Sequence, residues 1–255
     1  MSRRFVGRTI LVTGGASGIG FATARRLALE GAAVAILDRD ATRLEQAAAA
    51  LRGLAPKGFS GTADVQDFAA LSRALAEVEA ALGPIDGLVN NAGVAGLGSV
   101  HELDEAEWAR IIGINVTGVF LAAKAVLPGM MQRKRGVIVN VASIAGLVGI
   151  PAMAAYCASK GAVTNLTRQM AVDYAKWGIR VNAVAPGTVD DTAMGAMLLA
   201  SDQDEEARAR RLSKYPLGRF GRAEEIAEVV LFLLSDEASF VTGTIMTADG
   251  GMTAI

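Results

Sequence analysis

The chain has 255 residues, is 52% apolar before its 29 glycines are counted, and carries a formal net charge of −1. That length is ample for a sizeable core, and the apolar excess suits a parallel sheet buried on both faces and buried subunit contacts. With 25 basic against 26 acidic residues there is no cationic surplus for a phosphate backbone, and 1 cysteine and 1 histidine are too few for a disulfide or a conventional zinc site, so neither nucleic acid nor metal is expected.

The single cysteine fits reducing cytoplasm, and the N-terminus, with Arg3 and Arg4 but no apolar run of signal-peptide length, is expected to direct no export. Short β-branched segments then alternate with amphipathic stretches, the pattern of βαβ units with right-handed crossovers. Strands are predicted at 9–13, 33–38, 59–63, 87–90, 136–141, 180–185 and 244–248. Helices are predicted at 18–30, 41–52, 67–82, 104–132, 155–176 and 223–235. Residues 136–159 are uncharged for longer than a membrane span needs. Asn140, Ser143, Gly146, Gly149 and Pro151 interrupt them, and Val137-Ile138-Val139-Asn140-Val141 has the content of a buried strand, so no membrane span is expected. The stretch 190–214 breaks the alternation with a charge cluster around 202–211 and is read as a mobile helical lid. No repeat or low-complexity linker divides residues 1–255, which read as one α/β domain.

Two constellations carry chemistry. Thr13-Gly14-Gly15-Ala16-Ser17-Gly18-Ile19-Gly20 joins the first strand to the first helix. Glycines there permit close approaches that a Cβ would block, and the helix start aims N–H groups and a positive dipole end at an anion such as a pyrophosphate. The same turn would also serve as a plain tight connection. Asp38 favours a ligand: it ends the second strand 18 residues past Gly20, near the spacing at which an acid accepts hydrogen bonds from an adenosine ribose. Its charge disfavours a 2′-phosphate, whereas Arg39 would pair with one, so NAD is expected ahead of NADP. The second constellation is Tyr156 and Lys160, at i and i+4 on one helical face. A phenol titrates near about 10, and the ammonium is expected to lower that value and make a tuned acid/base. Ser143 ends the fifth strand, where its hydroxyl can orient a substrate oxygen.

With Asn90-Asn91-Ala92-Gly93 after the fourth strand, Asn115 in the following helix and Pro186-Gly187 after the sixth, these motifs stand in the order of the short-chain dehydrogenase/reductase family, which the chain resembles from Gly7 to Gly251. The resemblance implies a doubly wound Rossmann fold with a seven-stranded parallel sheet and helices on both faces. It implies a dinucleotide held by Gly14, Ser17, Gly18, Ile19, Gly20 and Asp38. It places Asp64 and Val65 at the adenine, and Asn90, Ala92 and Gly93 on the adenosine and ribose side, with Asn91 either a further cofactor residue or a support for the turn. Tyr156 and Lys160 would meet the nicotinamide side, and Pro186, Gly187 and Val189 its carboxamide. One extra residue puts Asp191 in the usual threonine position, so Thr192 transfers only if the loop shifts. The catalytic set implied is Asn115, Ser143, Tyr156 and Lys160, with Asn115 holding a water that links Lys160 to solvent. Family members usually associate as homotetramers through helices matching 104–132 and 155–176 and the region 243–252.

The substrate wall is expected from Ala145, Val148 and Met153, from Val94, Ala95 and Leu97, and from Met194 and Met197 on the lid, with Ser143 and Tyr156 as polar contacts. The lid cations Arg208, Arg210, Arg211 and Lys214 either read a substrate carboxylate or pair with Asp202, Asp204, Glu205 and Glu206 at the surface. Asp173, Asp190 and Asp191 read as capping or surface charge, His101 as surface, and Cys157 as a small core residue. The leading function is NAD-dependent oxidation of a secondary alcohol on a small polar molecule: a sugar derivative, polyol or hydroxy acid. The alternative is an NADPH-dependent 3-oxoacyl-carrier-protein reductase, which the pI of 5.9 disfavours. A catalytically silent dinucleotide-binding protein is further off, since Ser143, Tyr156, Lys160 and Asn115 are intact.

Overall fold

The computed structural model describes residues 3–200, 202 and 204–254. Seven strands, β1 (Thr9–Thr13), β2 (Ala33–Asp38), β3 (Gly58–Thr62), β4 (Ile85–Asn90), β5 (Gly136–Val141), β6 (Ile179–Pro186) and β7 (Ile245–Ala248), form one sheet in the order β3-β2-β1-β4-β5-β6-β7. Every pairing is parallel. β1 and β5 are buried along their full length, as strands covered on both faces must be, and both are near-continuous apolar runs. The order reverses between β1 and β4, which opens a crevice at their carboxyl ends.

On one face lie α1 (Gly18–Leu29), α2 (Ala41–Leu51) and α9 (Ala223–Leu234), packed with Ile10, Val12, Val34, Ile36 and Val139. The other face carries α3 (Phe68–Leu82), α5 (Gly118–Arg133) and α6 (Ala154–Tyr174) over Leu11, Leu37, Leu88 and Ile138. Asp40 and Asp67 each accept a backbone N–H at the start of α2 and α3, fixing where those helices begin. The stretch predicted as one helix over 104–132 is α4 (Glu105–Ile112) and α5 joined by a π turn, Gly113–Thr117. By length and composition Glu105–Arg133 could cross a membrane; here α5 packs on β4, β5 and α3. The lid region contains two short helices, α7 (Ala193–Ala200) and α8 (Glu205–Leu212).

Candidate active site

At the carboxyl edge of β1, Gly14 takes φ +62°, and a Cβ on it would stand 2.8 Å from the Ala92 Cα. A Cβ on Gly20 would stand 2.2 Å from the Gly14 carbonyl oxygen, so both positions demand glycine for close packing. The Asn91 side-chain amide donates to the carbonyls of Thr13 (3.1 Å) and Gly14 (2.9 Å), tying the turn to the segment after β4. The Asp38 carboxylate accepts from the N–H of Ala16 (3.2 Å) and of Asp40 (3.1 Å), which fixes it beside the turn.

A cavity of about 560 Å³ runs along this edge. Its lining includes Gly14, Ser17, Gly18, Ile19, Asp38, Asp64, Val65, Asn91, Ala92, Gly93, Ser143, Ala145, Met153, Tyr156, Lys160, Pro186, Gly187, Val189, Thr192 and Met194. A close-packed glycine turn at the start of α1, with a fixed Asp38 carboxylate and a phenol–ammonium pair in the same cavity, fits a dinucleotide.

Five expected residues lie elsewhere. Gly20 packs beneath the turn rather than on the wall. Asn90 points away from the cavity towards α5 and α6, donating to Asn140 Oδ1 (2.9 Å), while Asn140 donates to Thr167 of α6 (2.9 Å). Asn115 is fully buried behind the cavity: its amide donates to the Val94 carbonyl (2.8 Å) and to Ser159 Oγ (3.0 Å), and its oxygen accepts the Val94 N–H (2.8 Å). The π turn lets this side chain hold the loop that does line the site. Leu97 and Val148 are exposed outside the cavity. Asp191 turns away to accept the Ala223 N–H at the start of α9 (2.9 Å), and Thr192 takes the wall beside Gly18.

At the reacting end, Ser143 Oγ accepts the Ala145 N–H (3.1 Å), and Tyr156 and Lys160 share the inner face of α6. Lys160 Nζ donates to the Val141 carbonyl (2.8 Å) and stands 5.7 Å from the centre of the Tyr156 ring. Burial dominates both groups. It pushes the phenol up to about 12, with Ser143 hydrogen bonding pulling the other way, and pushes the ammonium down to about 8. The phenol therefore lies above rather than below its ordinary value: taking it out of water disfavours the charged form more than the Ser143 hydrogen bond restores it.

From the lid, the Tyr156 hydroxyl donates to Met194 Sδ (3.6 Å). Arg211 and Lys214 reach the cavity wall. Arg211 also grips Asp202 (2.6 Å), whereas Arg210 makes an exposed i, i+4 pair with Glu206 (2.7 Å). His101 is exposed, and Cys157 packs beside Ile150. Among the cavity residues that the sequence motifs do not mark are Arg43, Arg110, Tyr215 and Met252. Tyr215 had a legible setting, an aromatic where the lid returns; its hydroxyl donates to Thr188 Oγ1 (2.8 Å) and accepts the Thr188 N–H (2.9 Å), closing the base of the lid. Arg110 is held by Glu107 (2.6 Å) through an i, i+3 pair that looks like any surface pair in the sequence.

A family profile described as Enoyl-(Acyl carrier protein) reductase matches residues 14–253. The chain is 57% identical over 257 residues, 100% of both chains, to 2-(S)-hydroxypropyl-CoM dehydrogenase 3 of Xanthobacter autotrophicus. It is 46% identical to cis-4-hydroxycyclohexanecarboxylate dehydrogenase of Sinomonas cyclohexanicum, again over 100% of each chain. A crystal structure of NAD+-bound xylitol dehydrogenase superposes with a TM-score of 0.93 at 39% identity, covering 97% of this chain and 100% of that one. With its motifs set along one cavity and such relatives spanning its length, the chain belongs to the short-chain dehydrogenase/reductase family of oxidoreductases acting on CH–OH groups.

Proposed function

We propose that the protein oxidises a small secondary alcohol bearing an anionic end, with NAD as cofactor. The observation that carries this is that Arg211 and Lys214 line the same cavity as Ser143 and Tyr156. Two supports come from relatives: one is named for a hydroxy carboxylate and one for a hydroxypropyl group on CoM, both secondary alcohols. In oxidation Tyr156 gives its own phenolic proton to Lys160, whose ammonium deprotonates first, as it takes the substrate's hydroxyl proton; reduction runs the relay backwards, and Ser143 holds the oxygen. Asn115 acts as a positioning residue through Val94 and Ser159. A nicotinamide dinucleotide, when bound, supplies the hydride acceptor. Gly14, Ser17, Gly18, Ile19, Asp38, Asp64, Val65, Asn91, Ala92, Gly93, Pro186, Gly187, Val189 and Thr192 would hold it, and Ala145, Met153 and Met194 would wall the substrate's carbon skeleton. The fixed Asp38 favours NAD over NADP. The working unit is one domain with a lid at 190–214, in a cytoplasmic homotetramer.

The test is kcat/KM with NAD for 2-(S)-hydroxypropyl-CoM, cis-4-hydroxycyclohexanecarboxylate, short hydroxy acids and neutral alcohols of matched size. A charge-assisted hydrogen bond contributes about 1.5–3 kcal/mol, so R211A or K214A should lower kcat/KM for acids by about 10- to 150-fold without lowering it for neutral alcohols. Acids no better than neutral alcohols in the unaltered enzyme would overturn the anionic reading. NADPH-dependent reduction of a 3-oxoacyl thioester, with no alcohol oxidised, would favour the carrier-protein reductase instead.

A further inference from the structure

The catalytic phenol already has a hydrogen-bond acceptor, and it comes from the lid. Met194 lies at the start of α7, and its sulfur receives the Tyr156 hydroxyl at 3.6 Å. The first turn of α7 is seated firmly. Thr192 Oγ1 donates to the Val189 carbonyl (2.9 Å) and accepts the Gly195 N–H (3.0 Å), and a Cβ on Gly195 would collide with the Val189 oxygen at 1.8 Å. One turn on, Leu198 shares Met194's face, and both pack against the cluster of Ala145, Met153 and Tyr156. The far end of α7 is held from α8: Arg211 Nη2 donates to the Leu198 carbonyl (3.2 Å) while its Nε and Nη2 grip the Asp202 carboxylate (3.0 and 2.6 Å).

Two facts join here. A phenol donating to a thioether is not donating to a substrate oxygen, and the cation that pins α7 also lines the substrate cavity. We propose that Met194 is a specificity-determining residue: it latches the catalytic phenol, and an anionic substrate releases the latch by drawing Arg211 away from Asp202 and Leu198. This rests on the reading of Arg211 as the anion's partner. A neutral alcohol must break the same contact without that help, so the latch discriminates by charge at a distance from the reacting carbon. Thioether sulfur is a weak acceptor, so the contact yields once α7 loosens.

The experiment uses the full chain with saturating NAD and compares 3-hydroxybutyrate with 2-butanol. M194L keeps the bulk of the side chain and removes the acceptor. It should raise kcat/KM for 2-butanol relative to that for 3-hydroxybutyrate by about 2- to 10-fold, chiefly through a lower KM for the neutral alcohol, so the acid-to-neutral ratio narrows. D202N leaves Met194 intact and weakens the Arg211 anchor; it should move the ratio in the same direction. An unchanged ratio in both variants, or a matching loss for both substrates, means that Met194 is only a wall and overturns the proposal. R211A separates the two readings. If it costs the acid tenfold or more while M194L and D202N leave the ratio alone, the anion reading stands and the latch falls. If R211A leaves acid turnover unchanged, Arg211 takes no anion and the trigger falls with it.

Discussion

Tyr156 and Lys160 sit one helical turn apart in a buried wall, and water is what each charge would lose there. With the phenol pushed up to about 12 and the ammonium down to about 8, the first proton to leave the pair on raising pH comes from lysine, not tyrosine. Y156F should therefore lose turnover by at least about 10²- to 10⁴-fold, the usual worth of general acid–base catalysis. It should nevertheless retain a titration near about 8 in the NMR signals of ε-labelled lysine, because that ionisation belongs to Lys160. Disappearance of the titration in Y156F would assign it to the phenol and restore the simple picture of a lysine-depressed tyrosine. The buried ammonium has a thermodynamic sign as well. Its folded value lies below the ordinary 10.5, so the penalty is fully present below about 8 and is relieved as pH rises towards 10.5. Asp38 is a second case of one residue deciding an outcome. Its carboxylate is held by two backbone donors and faces the cavity with Arg39 and Arg43 beside it. D38A should shift the NAD/NADP preference towards NADP by about 10- to 150-fold, read from kcat/KM with each cofactor. A wild-type enzyme already preferring NADP would contradict this assignment. These residues were legible because motif spacing places them on strand ends. The opposite facing of Asn90 and Asn91 was not, since neighbours in an extended segment point to opposite sides and the parity depends on the register with β1 and β5.

Helix α1 ends on Glu30, which is buried and bound by Arg4 (2.6 Å) from the N-terminal segment and Arg26 (3.2 Å) from its own last turn, with Glu228 of α9 closing on Arg26 (2.6 Å). The hydrogen bond from Arg4 holds the Glu30 carboxyl below its usual range, against the desolvation that raises it. A depressed carboxyl contributes stability above its unfolded value and loses it as pH falls through the folded one. E30Q should thus lower the melting temperature at pH 7, a loss of about 1–3 kcal/mol for leaving Arg4 short of its partner. The gap from wild type should close as the pH drops below the ordinary glutamate range of about 4.3. Equal gaps at both pH values would mean that shape rather than charge sets the effect. Nothing in the sequence joins Arg4 to Glu30, which are neighbours only after β1 and α1 have folded. The π turn at Asn115 escaped for another reason: one extra residue in a helix shifts the apolar stripe without breaking it, so 104–132 still reads as a continuous helix. The lid split into α7 and α8 was hidden too, because α7 is apolar on every side and shows no 3.6-residue stripe, while α8 is a short segment with five charges in eight residues.

At the scale of the molecule, the buried strands and the alternation of elements made the doubly wound sheet readable from sequence, because parallel strands covered on both faces must be apolar throughout. What the chain leaves exposed bears on assembly. Trp108 on α4, Phe120 on α5 and Val172 on α6 are 44%, 48% and 79% exposed, and Phe240, before β7, is fully exposed. Scattered apolar residues are ordinary on a monomer; large ones on the very helices through which family members associate fit a shared helical bundle. The protein should therefore behave as a homotetramer of about 105 kDa, four copies of the 26.3 kDa chain, in light scattering at micromolar concentration. Val172 offers the sharper test. It is far more exposed than a core residue, so V172K should leave the fold of the isolated chain intact, as judged by circular dichroism. If α6 meets its counterpart across a two-fold axis, each lysine would face its own copy, and like charges brought together in a closing interface oppose association. V172K should accordingly give a dimer or monomer where the unaltered chain gives a tetramer. A mass near 26 kDa for the unaltered chain would remove the tetramer altogether, and a V172K tetramer as stable to dilution as wild type would place the interface on another face.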